Sequence, residues 1–125
     1  MKALTFALAL IALAAVTPGM ADIFTWTDGD FYDHEWDDVD NWASMTCFGP
    51  SCWPHTTDDD AEIDGTVYAR TVDLVDEEID SLSVVGTVTF GGDDTPTLTV
   101  NSIIIAGGTS SDTEVTISDA TIETN

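Results

Sequence analysis

Basic residues are almost missing from this chain of 125 residues, which has 2 Lys plus Arg against 24 Asp plus Glu and a formal net charge of -22. Nucleic-acid phosphates and anionic lipid headgroups are bound by clusters of Lys and Arg, so both kinds of partner are excluded. The chain is nevertheless 43% hydrophobic, whereas disordered acidic tails are poor in apolar residues. The sequence therefore predicts one small folded domain with an acidic surface.

A long apolar run is also lacking, apart from residues 3–16, which follow Lys2 and precede small residues that end at Ala21. This run is shorter than the ~20 residues that span a bilayer, and its layout is that of a secretory signal peptide. We predict that residues 1–21 are removed on export and that the protein is secreted or held at the cell surface, with no membrane-inserted segment after cleavage. The alternative is an uncleaved membrane anchor or a lipid-linked form. Cleavage leaves Arg70 as the one fixed cation, so self-repulsion must be offset by salt, by bound cations or by the apolar core.

Cysteine is scarce, since only Cys47 and Cys52 occur, with Gly49-Pro50 between them. Gly and Pro favour a turn that brings the two thiols together, and an exported chain meets oxidising conditions, so a small disulfide loop is predicted. The alternative is a zinc site that also uses His55 and His34. Structural zinc sites usually combine two ligand pairs, and only one Cys pair is present here.

The remaining chain divides into two regions of different composition. Residues 22–60 hold all four Trp, both His and both Cys, whereas residues 61–125 hold none of these and are rich in Thr, Val, Ile, Asp, Ser and Gly. Apolar residues alternate with Thr in the second region, and Gly pairs separate the runs, which is typical of short strands and turns. We predict an irregular Trp-rich cap over 22–60 and β-strands over 61–125.

An internal repeat specifies how these strands are arranged. Residues 79–86 align with residues 100–107, which places Ser81 on Ser102 and Gly86 on Gly107. A third copy is predicted in residues 115–122, and like residues then form three inward stacks: Ile79/Val100/Ile117, Leu82/Ile103/Ala120 and Val84/Ile105/Ile122. Such ladders of aliphatic residues predict an all-β fold, a short right-handed parallel β-solenoid of about three coils.

One segment has a second interpretation. Val72, Val75, Ile79 and Leu82 also have the spacing of a helix face, so a short helix over residues 73–80 is the alternative to a strand. The β-branched residues and the downstream match of Ile79 and Ser81 favour the strand.

The motifs also follow one another in an order seen in a known group of proteins. Trp26-Thr-Asp-Gly-Asp is followed by Asn41-Trp42, then by Pro54 with Asp58-Asp-Asp-Ala-x-Ile, and then by the ladders with Ser81-Leu-Ser-Val and Ser102-Ile-Ile-Ile-Ala-Gly-Gly. This order resembles the N-terminal part of secreted bacterial parallel β-helix proteins of the autotransporter-passenger type. The resemblance implies a Trp-rich cap followed by stacked coils. Two features differ from that group: the small number of coils and the insert between Cys47 and Cys52.

The aromatic residues of the cap have two possible roles. The first coil of a solenoid leaves an open row of backbone hydrogen-bonding groups and an apolar end, which must be covered. Large side chains supply that cover: Trp26, Phe31, Trp36, Trp42 and Trp53. Alternatively, Trp26, Trp36, Trp42 and Trp53 form a platform that stacks on sugar rings, which predicts a carbohydrate-binding module.

Acidic clusters are the remaining candidates for a site. Calcium takes six to eight oxygen ligands, and the candidate ligands are carboxylates in loops: Asp58, Asp59, Asp60, Asp93 and Asp94. Neither an EF-hand nor a Gly-rich calcium-coil repeat is present. No nucleophile, zinc-protease or phosphate-loop motif is found, and a carboxylate pair for glycoside hydrolysis could be formed by many of the acids.

These observations together predict an exported non-enzymatic β-solenoid that serves as a structural or adhesion component of the cell surface or matrix. Its expected partners are other copies of itself, or a longer homologous chain, stacked at the ends of the coils. Glycans are the alternative partner. A fragment of a longer β-helix adhesin or polysaccharide-active enzyme is a further alternative function.

Overall fold

Alternation of apolar and polar residues forms strands along most of the chain. The computed structural model describes residues 22–29, 32–106 and 113–125. The predicted signal peptide over residues 1–21, Phe31 and Gly107 lie outside these residues. The described elements are seven strands and one 3-10 helix: β1 (Ile23–Trp26), the 3-10 helix (Val39–Asn41), β2 (Trp42–Ser44), β3 (Asp60–Asp73), β4 (Glu77–Gly91), β5 (Thr97–Ala106), β6 (Glu114–Ile117) and β7 (Thr121–Thr124).

All seven strands belong to one sheet, in which β1 pairs with β2 antiparallel and every other pair is parallel. The prediction of an all-β fold with parallel strands is confirmed. The path through the sheet is β2-β1-β3-β4-β5-β7, and β6 pairs with β4 beside it. Parallel strands need long connections, because the chain must return to the same end before it pairs again.

The register of the sheet follows the predicted repeat. Asp60 pairs with Ser81, and Ser81 pairs with Ser102, so the paired residues are 21 apart in the chain at both steps. This displacement holds up to Gly65 of β3, after which the register shifts. Leu82 and Val84 pair with Ile103 and Ile105 as the alignment requires. The first two copies of the repeat are therefore confirmed as neighbours in space.

Strands β3 and β4 are long because each runs past a point where its pairing changes. Residues 77–85 of β4 pair with β5, whereas residues 87–90 pair with β6. Between these two parts lies Gly86, whose φ of 80° is in the left-handed region. Gly86 pairs with Gly65 of β3 at the same level, and the register shifts immediately after Gly65. β4 thus borders two different strands on the side opposite β3: β5 along its first part and β6 along its last part.

The predicted third copy of the repeat is wrong in its register. Val115 and Ile117 pair with Val88 and Phe90, and Ile122 pairs with Leu98. The three stacks therefore do not continue into Ile117, Ala120 and Ile122 as predicted. Short alternations of Thr with Val or Ile resemble one another wherever they occur. Similarity alone therefore aligned β6 with β5 instead of β4, and β7 with the wrong part of β5.

The helical alternative for residues 73–80 is also wrong, since β3 ends at Asp73 and β4 begins at Glu77. Ile79 and Leu82 are both buried, and the two residues between them are half-buried. The backbone N–H of Asp80 leaves the regular ladder and donates to Asp59 O at 2.8 Å. This irregularity shifts the alternation of the strand by one residue, and the shift produces the spacing that imitates a helix.

The core is formed by the buried side chains of the strands together with those of the cap. Leu82, Val84, Val88 and Phe90 of β4 are fully buried and pack in one cluster with Trp36 of the cap. Burial of apolar surface of this kind contributes about 25 cal/mol per Å² to stability. The described part of the chain contains no helix long and apolar enough to cross a membrane.

Candidate functional site

Three tryptophans of the cap pack against one another. The Trp42 ring lies 4.9 Å from the Trp26 ring and 4.7 Å from the Trp36 ring, both edge to face. Trp42 Nε1 donates to Trp36 O at 2.6 Å, and Trp36 Nε1 donates to Pro54 O at 2.8 Å. Antiparallel pairing of β1 with β2 holds Trp26 directly opposite Trp42. The cluster therefore joins β1, β2 and the loop before β3 into one unit.

Burial of these rings contradicts their predicted role as a sugar platform. Trp26, Trp36 and Trp42 all belong to the buried core, so their ring faces are occupied by protein. Trp53 is half-buried, lies 5.2 Å from the His55 ring and donates weakly to Glu77 Oε1 at 3.5 Å. One partly covered ring does not form a platform. Trp26, Trp36 and Trp42 therefore serve packing at the β1–β2 end of the sheet.

The two cysteines form the predicted disulfide between Cys47 and Cys52, with their Cα atoms 5.6 Å apart. Cys52 is buried against the aromatic cluster, whereas Cys47 is partly buried. Both sulfurs are bonded to each other, so the zinc alternative with His34 and His55 is wrong. His34 instead binds Asp28, with 2.7 Å between Nδ1 and Oδ1.

The acids predicted to bind calcium lie in two separate places. Asp59 is buried, and its Oδ2 accepts the backbone N–H groups of His55 and Thr56 at 3.0 and 2.9 Å. Asp60 accepts the Ser81 hydroxyl across the β3–β4 pair, and Asp58 is exposed. The carboxylates of Asp59 and Asp60 therefore already accept hydrogen bonds from neighbouring residues. Asp93 and Asp94 lie elsewhere, in the turn between β4 and β5.

That turn borders an open groove of about 620 Å³, which we call the acidic groove. It lies where the end of β3, the turn after β4 and the turn after β6 meet the 35–37 segment. Seven carboxylates contribute to its lining: Glu35, Asp37, Asp73, Asp76, Asp93, Asp94 and Asp119. Of the predicted calcium ligands only Asp93 and Asp94 lie here, and the other acids of the groove are distant in the chain and are brought together by the fold.

Like charges in this region raise the pKa of Glu35. The main cause is the neighbouring carboxylate of Asp33, and burial, Asp37, Asp38 and Asp73 add to it. Burial likewise raises the pKa of Glu77, the first residue of β4. The hydrogen bond from Trp53 acts in the opposite direction and lowers it. Carboxylates that repel one another attract cations from solution. Within the described residues, however, no group of three or more His, Cys, Asp or Glu side chains is placed to hold a metal ion.

The single arginine is already engaged by the fold. Arg70 Nη1 lies 3.6 Å from Asp28 Oδ2, and Arg70 Nε donates to Asp64 O at 3.2 Å. The hydroxyl and the backbone N–H of Thr66 donate to the Asp64 carboxylate at 2.6 and 2.8 Å. These bonds are the main reason that the pKa of Asp64 is lowered, and Arg70 adds to the effect.

Two exposed apolar features escaped the sequence reasoning. Val67 and Tyr68 protrude where the β3–β4 register shifts between Gly65 and Arg70. Residues 103–105 are three successive isoleucines that are also exposed, although the repeat assigned two of them to the core. The signal for the second feature was the uncharged composition of residues 101–106 in an acidic chain.

Comparison with known proteins returns no match, whether with family models, curated proteins or solved structures.

Proposed function

We propose that this chain is an exported, non-enzymatic structural or adhesion component of the cell surface or matrix, built as a short right-handed parallel β-solenoid. The observation that carries the proposal is the displacement of 21 residues that occurs twice in succession, from Asp60 to Ser81 and from Ser81 to Ser102. A solenoid repeats one coil at a fixed period, and each coil contacts only its neighbours. Right-handed connections are found in ~98% of parallel strand pairs, which supports the handedness.

Export is supported by two independent features. The disulfide between Cys47 and Cys52 favours an oxidising compartment. The apolar run over residues 3–16, with small residues up to Ala21, has the layout of a cleavable signal. Asp22 would then be the first residue of the mature chain, immediately before β1.

A structural role is supported by the electrostatics of the surface. The acidic groove repels anionic polysaccharides, and Arg70, the cation that such a substrate would need, is held by Asp28 and by the backbone of Asp64. Divalent cations would reduce the repulsion between the groove carboxylates and bridge neighbouring molecules. Calcium, including binding at Asp58, Asp59, Asp60, Asp93 and Asp94, belongs to this proposal as a cation that promotes association.

Export is tested by expressing the full chain in a secreting bacterial host and measuring the intact mass of the protein outside the cytoplasm. We expect a chain that begins at Asp22 and carries one disulfide. Recovery of the uncleaved chain in the cytoplasm, with free thiols, would contradict the proposal. Sedimentation velocity with calcium and with EDTA then tests cation bridging, for which faster sedimentation in calcium is expected.

The solenoid is tested by cysteine pairs introduced across neighbouring strands. Adjacent strands lie about 4.8 Å apart, within the Cα separation that a disulfide accepts. The pairs Ser83→Cys with Ile104→Cys and Thr89→Cys with Thr116→Cys should each crosslink on oxidation, because β4 borders both β5 and β6. Thr71→Cys with Thr116→Cys is the control, since Thr89 lies between these positions. Crosslinking of the control with equal yield would refute the proposed stacking.

A further inference from the structure

The outer edge of β5 is open over part of its length. Residues 97–100 pair with β7 on this side, but residues 101–106 have no neighbouring strand there among the described residues. Ile103, Ile104 and Ile105 are 37%, 56% and 53% exposed. A row of unpaired backbone N–H and C=O groups flanked by exposed apolar side chains is a template for another strand. We call residues 101–106 the open edge.

The preceding layers show that two of these side chains occupy core positions. Leu82 and Val84, which pair with Ile103 and Ile105, are fully buried. Ile104 pairs with Ser83, which in turn pairs with Glu62, so Ile104 takes a position that is polar in the layers before it. Ile104 is more than half exposed at this position, so it adds an apolar side chain to the outward face next to the open edge.

Charge restricts what can cover the open edge. Residues 101–106 carry no charged side chain, whereas the edges of β6 and β7 carry Glu114 and Glu123. Two copies of a chain with a net charge of -22 repel each other wherever acids would face acids. The open edge is a place where two copies can meet without such a contact, and salt weakens the repulsion between the remaining surfaces.

At the other end of the sheet the edge strand is β2, which has three residues against the six of the open edge. β2 pairs with β1 over Phe24, Thr25 and Trp26, so the edge of β1 is covered by a short antiparallel strand and by the aromatic cluster. Head-to-tail stacking would need both ends open and would build filaments. The ends that can pair are therefore two open edges, each on a different molecule.

We propose that two copies of this chain pair through their open edges, antiparallel and centred on Ile104, to form a closed dimer. In that register Ile103 of one copy lies opposite Ile105 of the other, and Ile104 lies opposite its own equivalent. Two-fold symmetry makes the contact self-complementary and limits assembly to two copies. The inference rests on the strand stacking described under the proposed function, because that stacking leaves the outer edge of β5 open. It differs in the assembly it expects, which is a dimer and not a long array.

The first test measures molar mass by light scattering and by sedimentation equilibrium over about 1–100 µM protein. The full chain is expressed for export and purified in 0.5 M NaCl with EDTA, so that cation bridging does not contribute. We expect a monomer–dimer equilibrium. Ile104→Lys should raise the dimer dissociation constant at least tenfold, which corresponds to about 1.4 kcal/mol. Val67→Lys is the matched control, because it places the same cation at an exposed β-branched residue of β3, which β4 separates from β5, and it should leave the constant unchanged.

The second test does not depend on a destabilising charge. Residues directly opposite each other in an antiparallel pair have Cα atoms about 4.5–5.5 Å apart. Oxidation of the Ile104→Cys variant should therefore give a covalent dimer, whereas the Val67→Cys variant should stay monomeric under denaturing conditions. Circular dichroism of each variant verifies that the fold is retained.

Three results would overturn the inference: a monomer at every concentration, assembly that continues beyond two copies, or equal effects of the lysine at positions 104 and 67. In the first case the open edge belongs to a strand of a different polypeptide. None of these results bears on export or on the calcium dependence of sedimentation in the wild-type chain. Failure of the dimer is therefore distinguishable from failure of the proposed function.

Discussion

Replacement of Gly86 by alanine should destabilise the protein, because Gly86 lies where the backbones of β3 and β4 approach closely. A Cβ atom at position 86 would lie 2.3 Å from the carbonyl carbon of Gly65 and 2.4 Å from the nitrogen of Thr66. Ordinary contacts between carbon atoms are about 3.5–4.0 Å. The neighbours are backbone atoms, which cannot rotate away as a flexible side chain would, so the two strands must separate by about 1 Å at this level.

The cost of this change has two parts. Gly86 has a φ of 80°, and a left-handed conformation costs an alanine about 1–2 kcal/mol. Separation of the strands weakens one or two interstrand hydrogen bonds, each worth about 1 kcal/mol. We therefore expect Gly86→Ala to lower the free energy of unfolding by about 2–4 kcal/mol, which for a domain of this size lowers the melting temperature by about 10 °C or more.

Alanine substitutions at two other glycines distinguish the backbone strain from the steric clash. Gly49 has a φ of 135° but no atom within 4 Å of an added Cβ, so Gly49→Ala should show the conformational strain alone. Gly91 has ordinary φ and its nearest contacts would be 3.4 and 3.6 Å, so Gly91→Ala should change stability by less than about 0.5 kcal/mol. Urea unfolding followed by far-UV circular dichroism in 0.5 M NaCl measures all three. If the free energies of unfolding of Gly86→Ala and Gly91→Ala differ by less than about 0.5 kcal/mol, the close approach of the two strands is refuted.

Three further variants test the cap and the charged groups by the same urea unfolding. Trp36→Phe should cost about 1–2 kcal/mol more than Trp26→Phe, because Trp36 Nε1 is hydrogen-bonded whereas Trp26 Nε1 has no partner among the described residues; equal losses would contradict this. Asp59→Ala should cost about 1–3 kcal/mol, since two backbone N–H groups lose their acceptor, and an unchanged midpoint would argue against that role. Glu77→Gln should stabilise the protein at pH 7 by less than about 1 kcal/mol, because burial raises the pKa of Glu77 and its ionised form therefore opposes folding. This gain should vanish as the pH falls through that pKa towards about 4.3, the value in the unfolded chain, and a gain that persists at pH 3 would rule out this cause.

The sequence was sufficient to predict the parallel arrangement of β4 and β5, whereas the earlier copy in residues 60–65 of β3 was missed. Leu82 and Val84 recur as Ile103 and Ile105 with Ser and Gly at matching positions. A match of this kind constrains register because inward and outward positions must both agree along eight successive residues. The disulfide was predictable for a simpler reason, since only two cysteines are present and a turn lies between them.

The register of β6 and β7 was not predictable from residue similarity. Both strands have only four residues, and an alternation of Thr with Val or Ile fits several positions of the preceding layer equally well. What decides the pairing is the change of partner at Gly86, after which β4 borders β6 instead of β5. The turn residues that fix the position of such a change are not distinguishable in sequence from other Gly-containing turns.

The acidic groove and the buried cap were beyond sequence reasoning for opposite reasons. Glu35 and Asp73 meet in the groove because a parallel bridge joins two segments that are far apart in the chain. In the cap, the same Trp side chains could stack on a ligand or on one another, and only burial of Trp36 and Trp42 distinguishes these outcomes. Composition supplies the residues in each case, and the tertiary fold decides their neighbours.

The position of the tryptophans at one end of the strand stack has a spectroscopic consequence. All four precede β3 in the chain, and three of them form the buried cluster that covers β1. Intrinsic fluorescence therefore reports on the end of the sheet that carries β1 and β2, whereas far-UV circular dichroism reports on all strands. Strands β3 and β4 separate β6 and β7 from that end, so opening can begin at β6 and β7 and advance towards the cap. In that case the circular dichroism signal will decline at lower urea than the fluorescence signal, and the interval between the two transitions measures how strongly each strand is coupled to the next.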